Sequence, residues 1–386
     1  MAPVRHFPGG GLMAVYTCRL IPLTPIHVGT GETIALEDYF LANGRLTRFH
    51  PPAVLRAMSE ADRKRYLALL GGGDTNMGEA LRLLRQCAQK TPDAWIYSIE
   101  VGPASRQSLA EALDKIDTRR GEVHPLFWNE LTRQAVLPGS AIKGALRTAL
   151  LSTAVAGRLS RDSHWKQTWE KKLSGEDNSK ALARKAEELE REIFRRNERD
   201  LEWDPFRFIK VSDTAVPAEM VRLDRARLLQ QGKEDGAAGK IQMHFERTLS
   251  ASDKNPAPQL EFTLVIEKDE KAWHAGIGQY LQGVPTRDWL LKSLRFHFIT
   301  RAIGEAKRFP SLYSDVWKSW IQQANQPNCA LIRLGRFSHF ESLSVEGFRR
   351  TLDRRGRWIT EGTSRTYCTP DETSKMPFGW ALLQLV

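Results

Sequence analysis

The sequence predicts an α+β fold, with antiparallel sheets carrying helices on one face. Three observations point there. Strand patterns come in groups with helix patterns between them, not in strict β-α alternation. Asn43-Gly44 between two apolar runs marks a tight hairpin. No GxGxxG follows a strand, and no GxxxxGK followed by Ser or Thr occurs, which removes support for the nucleotide-binding folds.

The elements follow in order. The first ~15 residues read as a loose tail. Residues 14–23 alternate as a strand, with Val15, Thr17 and Arg19 on one face and Tyr16, Cys18 and Leu20 on the other. The strand runs into Thr24-Pro25-Ile26-His27-Val28-Gly29-Thr30-Gly31, a loop punctuated by Gly and Pro. Residues 33–41 and 45–49 are the hairpin strands. One helix is expected over 51–70, ended by Gly71-Gly72-Gly73, a second over 79–89, and a strand over 95–101. A helix opens at Leu137-Pro138-Gly139-Ser140 and runs to about Ala156, where Gly157 stops it. Residues 158–202 are dense in both charge signs and read as a helical insertion with a solvated outer face. Strands are expected at 206–211, 220–223, 240–249 and 260–267, with a mobile loop over 230–239. Helices over 285–306 and 311–324, a short strand over 329–334 and a closing strand over 379–386 complete the chain.

The 386 residues carry 57 Lys+Arg against 46 Asp+Glu, a formal net charge of +11. With 41% hydrophobic residues the chain can build a core, which argues against a disordered protein. Its length calls for one elaborate domain or two. The surplus charge hints at a polyanionic partner and no more, since net charge governs association rather than fold. The longest mostly apolar stretch, 149–156, is too short and too polar to cross a bilayer, and the N-terminus has no apolar segment of signal-peptide length. Cys18, Cys87, Cys329 and Cys368 form no CxxC pair, and the nine histidines do not cluster at metal-ligand spacing. A reducing cytoplasm, no membrane, no metal and no cofactor are expected. HExxH and GxSxG are absent, so a hydrolase with a local signature has no support.

Three stretches stand out. In His27-Val28-Gly29-Thr30-Gly31, two glycines let backbone N–H groups approach an anion or a base, and a loop-mounted His can stack or donate. In residues 137–147, a helical wheel puts Ile142, Ala145, Leu146, Ala149 and Thr153 on an apolar side and Ser140, Lys143 and Arg147 opposite. Ser140 is a natural N-cap, so a hydroxyl and two cations beside a helix N-terminus form a candidate phosphate site. In residues 331–340, an apolar strand ends in a Gly335 turn carrying Arg333, Arg336, Phe337 and His339, with Arg349, Arg350, Arg354, Arg355, Arg357 and Trp358 downstream. Arginine interleaved with aromatics suits RNA, because guanidinium binds phosphate and stacks on bases.

Together these stretches resemble the RAMP superfamily of CRISPR effector proteins. The resemblance rests, in order, on Thr24 to Gly31, Pro138 to Arg147, Ile209-Lys210-Val211-Ser212-Asp213, Leu331 to Phe340, and Phe378-Gly379-Trp380. The set is most similar to the fifth subunit of the type III-A Csm effector complex. It implies a ferredoxin-like, RRM-like fold with helical insertions: an N-terminal region over 1–235 that includes the 158–202 insertion, and a C-terminal region over 236–386 with the Gly loop. It implies a non-enzymatic crRNA-binding subunit that caps the backbone at the crRNA 3′ end and assists 3′ maturation. Other Csm subunits and host nucleases would be its partners. His27, Gly29 and Gly31 would line the RNA path, and Ser140, Lys143 and Arg147 would hold crRNA phosphates. Arg333, Gly335 and Arg336 would stand in the family's C-terminal Gly-rich loop, which usually carries more glycine than this one. Asp38 falls where a sister backbone subunit has its target-RNA-cleaving Asp. It is the candidate catalytic group of an alternative, an endoribonuclease that processes precursor crRNA or cuts target RNA. A Cmr-type subunit is a further alternative. A DNA-binding regulator has little support, for want of a helix-turn-helix pattern.

Overall fold

The first sheet is built around the strand expected after the tail. The computed structural model describes residues 4–6, 12–72, 76–174, 178–194, 204–232, 243–268, 286–353, 355–371 and 373–386. Within the expected tail, β1 (Val4–His6) pairs antiparallel with β2 (Leu12–Pro22). Cys18 and Leu20 are buried while Thr17 faces out, the alternation of a half-buried strand. The Asn43-Gly44 hairpin forms between β3 (Tyr39–Ala42) and β4 (Arg45–Phe49). Asn43 (φ 50°) and Gly44 (φ 74°) are both left-handed, as the favoured two-residue turn requires. Of the residues expected to extend β3 backwards, Ile34 makes only an isolated bridge to Val123.

The single helix expected over 51–70 is two, α1 (Pro51–Ala57) and α2 (Glu60–Gly71). Ser59 breaks them: its hydroxyl accepts the Asp62 N–H at 3.1 Å and starts a new helix. Next come α3 (Met77–Gln89), β5 (Trp95–Val101) and α4 (Pro103–Lys115), the last not expected. The short β6 (Val123–His124), β7 (Phe127–Asn129) and β8 (Gln134–Leu137) were also not expected, being too short to show a period. The long α5 (Gly139–Leu159) runs through Gly157.

The insertion is helical, α6 (Ser163–Ser174) and α7 (Ser179–Phe194), but it is not only a solvated face. Trp165, Trp169 and Leu173 lie four residues apart and are buried, as are Leu189, Ile193 and Phe194. Dense charge hid that apolar stripe. Then follow β9 (Ile209–Val211), β10 (Thr214–Val216), β11 (Val221–Gln230), β12 (Met243–Thr248) and β13 (Leu260–Lys268). The loop expected over 230–239 lies mostly outside the described residues.

The helix expected over 285–306 forms as α8 (Arg287–Leu294), a π-helical turn (Arg295–Ile299) and α9 (Thr300–Arg308). The next expected helix is split at Ser314 (φ 40°) into α10 (Pro310–Tyr313) and α11 (Val316–Ala324). The chain ends with β14 (Cys329–Arg333), α12 (His339–Ser342), β15 (Thr351–Leu352), β16 (Trp358–Ile359), β17 (Ser364–Thr369), β18 (Met376–Pro377) and β19 (Trp380–Leu385).

One sheet has the order β14-β19-β2-β13-β9, with β1 beside β2, and every pairing is antiparallel. The second runs β18-β17-β11-β5-β4-β3, with β12 on β11 and β6 on β12. Its β11-β5 and β12-β6 pairs are parallel. Residues on both sides of position 235 therefore build both sheets. The main core joins them with α5 and α8. All four cysteines are free thiols. Among the described residues no helix is long and apolar enough to cross a membrane.

Candidate nucleic-acid interface

Three separated loops are tied together by main-chain hydrogen bonds beside β2. Leu23 and Thr24 donate to the Trp380 carbonyl at 2.9 and 3.0 Å, and Gly379 donates to the Pro25 carbonyl at 2.8 Å. Leu334 donates to the Gly379 carbonyl at 2.8 Å, and Arg336 to the His27 carbonyl at 3.0 Å. Gly335 is required twice at this junction. Its φ is +92°, and a Cβ there would collide with the His27 carbonyl oxygen. The 24–31 loop and the 334–337 turn thus meet back to back.

His27 sits at the centre but does not offer its ring to solvent. It is 2% exposed. Its Nδ1 lies 2.8 Å from the Glu246 carbonyl, which can only accept, so Nδ1 carries the proton. Burial lowers its pKa to about 4, with His124 and Arg336 pushing the same way, so the ring is neutral near pH 7. Gly29 is held to glycine by sterics: a Cβ would lie 2.7 Å from both His27 Nε2 and the Pro125 carbonyl. Residues 29–33 are all exposed, and Gly31 (φ +89°) has open space around it. The expected stacking or donating His is a scaffold, and what the loop presents is its backbone.

Phe245 of β12 is the hub for the surrounding side chains. The His124 ring stacks on it at 4.5 Å, while His27 and Phe337 meet it edge-on, each at 4.9 Å. The Arg336 guanidinium lies 5.7 Å from the same ring. Arg336 is exposed and forms no ion pair among the described residues. It is a cation with a fixed root and a free head, suited to phosphate or to a base face.

Below this surface lies Glu246, fully buried. Its Oε1 accepts from the Tyr97 hydroxyl at 2.6 Å, and its Oε2 from the Leu126 N–H at 2.9 Å and Trp128 Nε1 at 2.7 Å. Burial raises its pKa to about 7, against the lowering effect of those donors. Through Leu126, which bridges Gly29, and through its own carbonyl on His27, it holds the loop from beneath. His124, Phe245 and Glu246 were missed because residues 240–249 are expected only as a strand with no face assigned, and no local pattern places His124 beside Phe245. The only signal was an aromatic set among charges.

A family model described as the RAMP superfamily matches residues 19–308. The chain belongs to the RAMP superfamily. No curated protein sequence matches this RAMP protein. Its fold is similar to a chain in the cryo-EM structure of a Csm-crRNA-target RNA ternary complex of a type III-A CRISPR-Cas system. The TM-score is 0.64 and the identity 16%, over 96% of this chain and 100% of that one. It is also similar to the crystal structure of T. onnurineus Csm5, with TM-score 0.56 and 16% identity over 94% and 99% of the two chains.

The remaining expected site residues of the RAMP protein divide. At the start of α5, Ser140 is exposed and caps nothing. The Gly139 N–H is taken instead by Asp213 Oδ1 at 2.7 Å, the end of the Val211-Ser212-Asp213 stretch. Lys143 is half-buried, and burial and then Arg147 lower its pKa. Arg147 is not available for phosphate as expected. Its two Nη atoms lie 2.9 and 2.8 Å from Asp204, its Nε lies 2.5 Å from Glu190, and Phe194 and Phe206 flank the guanidinium. Burial opposes its charge, but the two carboxylates more than offset that and raise its pKa. Arg333 is likewise internal: buried, bound to Glu305, donating to the Phe378 carbonyl at 3.1 Å and lying over Trp380. Asp38 Oδ2 accepts the Ala35 N–H at 3.3 Å and holds a turn. Burial raises its pKa. Among the described residues no group of three or more His, Cys, Asp and Glu could hold a metal.

Proposed function

We propose that this RAMP protein is a crRNA-binding structural subunit of a type III-A CRISPR effector. In this reading it works in the cytoplasm, caps the Csm backbone at the crRNA 3′ end and assists 3′ maturation by host nucleases. One observation carries the RNA contact: the exposed Gly29–Gly31 backbone and the unpaired Arg336 guanidinium are brought to one place by main-chain bonds between their loops. Exposed N–H groups, a free guanidinium and a nearby aromatic set are what a single-stranded RNA backbone and its bases need. The likeness to a chain of a Csm-crRNA-target RNA complex supports the same assembly. Ser140 and Lys143 at the start of α5 are a second, weaker contact in this reading, and Arg147 and Arg333 act as internal braces.

The test is RNA binding by the purified chain across a salt series. Arg336→Ala is expected to weaken binding to single-stranded RNA regardless of sequence. It should also flatten the log–log salt dependence by about 0.7 for the lost contact. Arg333→Lys, at the end of β14 just before that loop, should leave that slope unchanged. An unchanged slope for Arg336→Ala overturns the proposal.

A further inference from the structure

The helical insertion and the segment after α12 enclose a cavity of about 200 Å³. Its floor is apolar: Leu151 of α5, Trp169 and Leu173 of α6, Leu189 of α7, and Val345 and Phe348. All six are buried. None of the loop residues 24–31 or 334–337 lines it.

The lining carries Arg147, Lys185, Arg349 and Arg350 against the one carboxylate of Glu190, which Arg147 already binds, while Lys185 is held by Glu188. Arg301 and Arg349 share the single carboxylate of Glu346, at 2.6 and 3.1 Å. The Arg349 side chain is 9% exposed, and its buried Nε has no acceptor. Burial and then the Arg301 charge lower the Arg349 pKa. Arg350, also on the lining, forms no ion pair among the described residues. Leu343 stands on the lining with 66% of its surface exposed.

We propose that this groove docks an acidic segment of a partner protein. The segment inserts one large apolar side chain over the Trp169–Phe348 floor and sets a carboxylate against Arg349 and Arg350. Charge selects the sign of the occupant. Arg350 has no ion-pair partner among the described residues, and Arg349 shares Glu346, which lies off the lining, with Arg301. Positive charge is therefore in excess beside a buried N–H that lacks an acceptor, and an anion satisfies both. Shape and chemistry select its class. The cavity is smaller than the roughly 300–1,000 Å³ of small-molecule sites and suits a single anchor side chain. Leu151, Leu173, Leu189 and Val345 give a nucleobase edge nothing to hydrogen-bond, whereas an aliphatic or aromatic side chain needs only contact. The proposal does not rest on the RNA contact and would survive its failure.

The experiment is selection of short random peptides displayed on phage against the purified full-length chain. The enriched peptides are expected to carry Leu, Phe or Trp within one helical turn of Asp or Glu. Two surface variants then test the site: Ala186→Trp, at an exposed α7 position on the lining, and Arg350→Glu. Each should weaken the enriched peptide at least about tenfold while leaving the melting temperature unchanged. Excess single-stranded RNA should not displace the peptide. The proposal is overturned by no enrichment, by enrichment of basic or acid-free peptides, by retained binding in either variant, or by displacement with RNA.

Discussion

Replacing Glu246 by Gln tests the organisation of the loop from beneath. The carboxyl is fully buried and its pKa is raised from 4.5 to about 7. Between these two values the folded protein keeps a proton that the unfolded chain has released. The folded state therefore loses stability as pH rises through that window. Each unit is worth about 1.4 kcal/mol, so the whole window costs about 3 kcal/mol. Gln cannot ionise and escapes this cost. It also fits the donors. With its carbonyl at the Oε2 position it accepts from Leu126 and Trp128, and its amide can donate to the Tyr97 hydroxyl, which rotates to accept.

The assay is equilibrium urea unfolding of both proteins from about pH 5 to about pH 8. The buried histidines (His27, His244 and His297) titrate in the opposite sense, with folded pKa values lowered to about 4, 3 and 4. Their stabilisation is lost as pH falls below the ordinary His value, and it cancels in the difference between the two proteins. Glu246→Gln should match the wild type near pH 5 and exceed its stability by up to about 3 kcal/mol near pH 8. A difference that does not change with pH, or a variant less stable at both ends, would refute the reasoning.

Three further outcomes are expected. Arg333→Ala leaves Glu305 buried with only part of its partners, and thermal unfolding should show a loss of about 3–5 kcal/mol. Gly335→Ala must hold a left-handed φ beside the His27 carbonyl, which should cost at least about 2 kcal/mol in urea unfolding and weaken RNA binding in a filter assay. Arg147→Ala should lose about 1–3 kcal/mol, since its pairs are neither fully buried nor fully exposed, while the salt slope of RNA binding stays at the wild-type value. A flattened slope for Arg147→Ala would show that its phosphate role, expected from the helical wheel, is real.

Local features were legible in the sequence, and their long-range partners were not. The Asn43-Gly44 hairpin and β2 are written in turn residues and alternation, and β14 and β19 in short apolar runs. The wheel of α5 was read correctly on its apolar side, since Ile142, Ala145, Leu146 and Ala149 are buried. The same wheel misassigned Arg147, because Asp204 lies 57 positions away and no local pattern announces the pair. The N-cap shows the same limit: Ser140 satisfies the local rule, yet Asp213, 74 positions on from the Gly139 whose N–H it accepts, does the work. The Gly335 turn was found from its arginines and aromatics. Which arginine faces solvent depended on Glu305, which the sequence leaves unmarked inside a helix.

The ties between the 24–31 loop and the residues around Trp380 also set an order of events. Thr24 and Trp380 are 356 positions apart, and β2 cannot hold its neighbour β19 until the end of the chain has been made. During synthesis the glycine loop is therefore present for most of translation without the bonds that shape it. Contacts of such sequence separation close late and slowly. A nascent chain therefore has no finished 24–31 loop until β19 has been made, and the RNA contact proposed above depends on that strand.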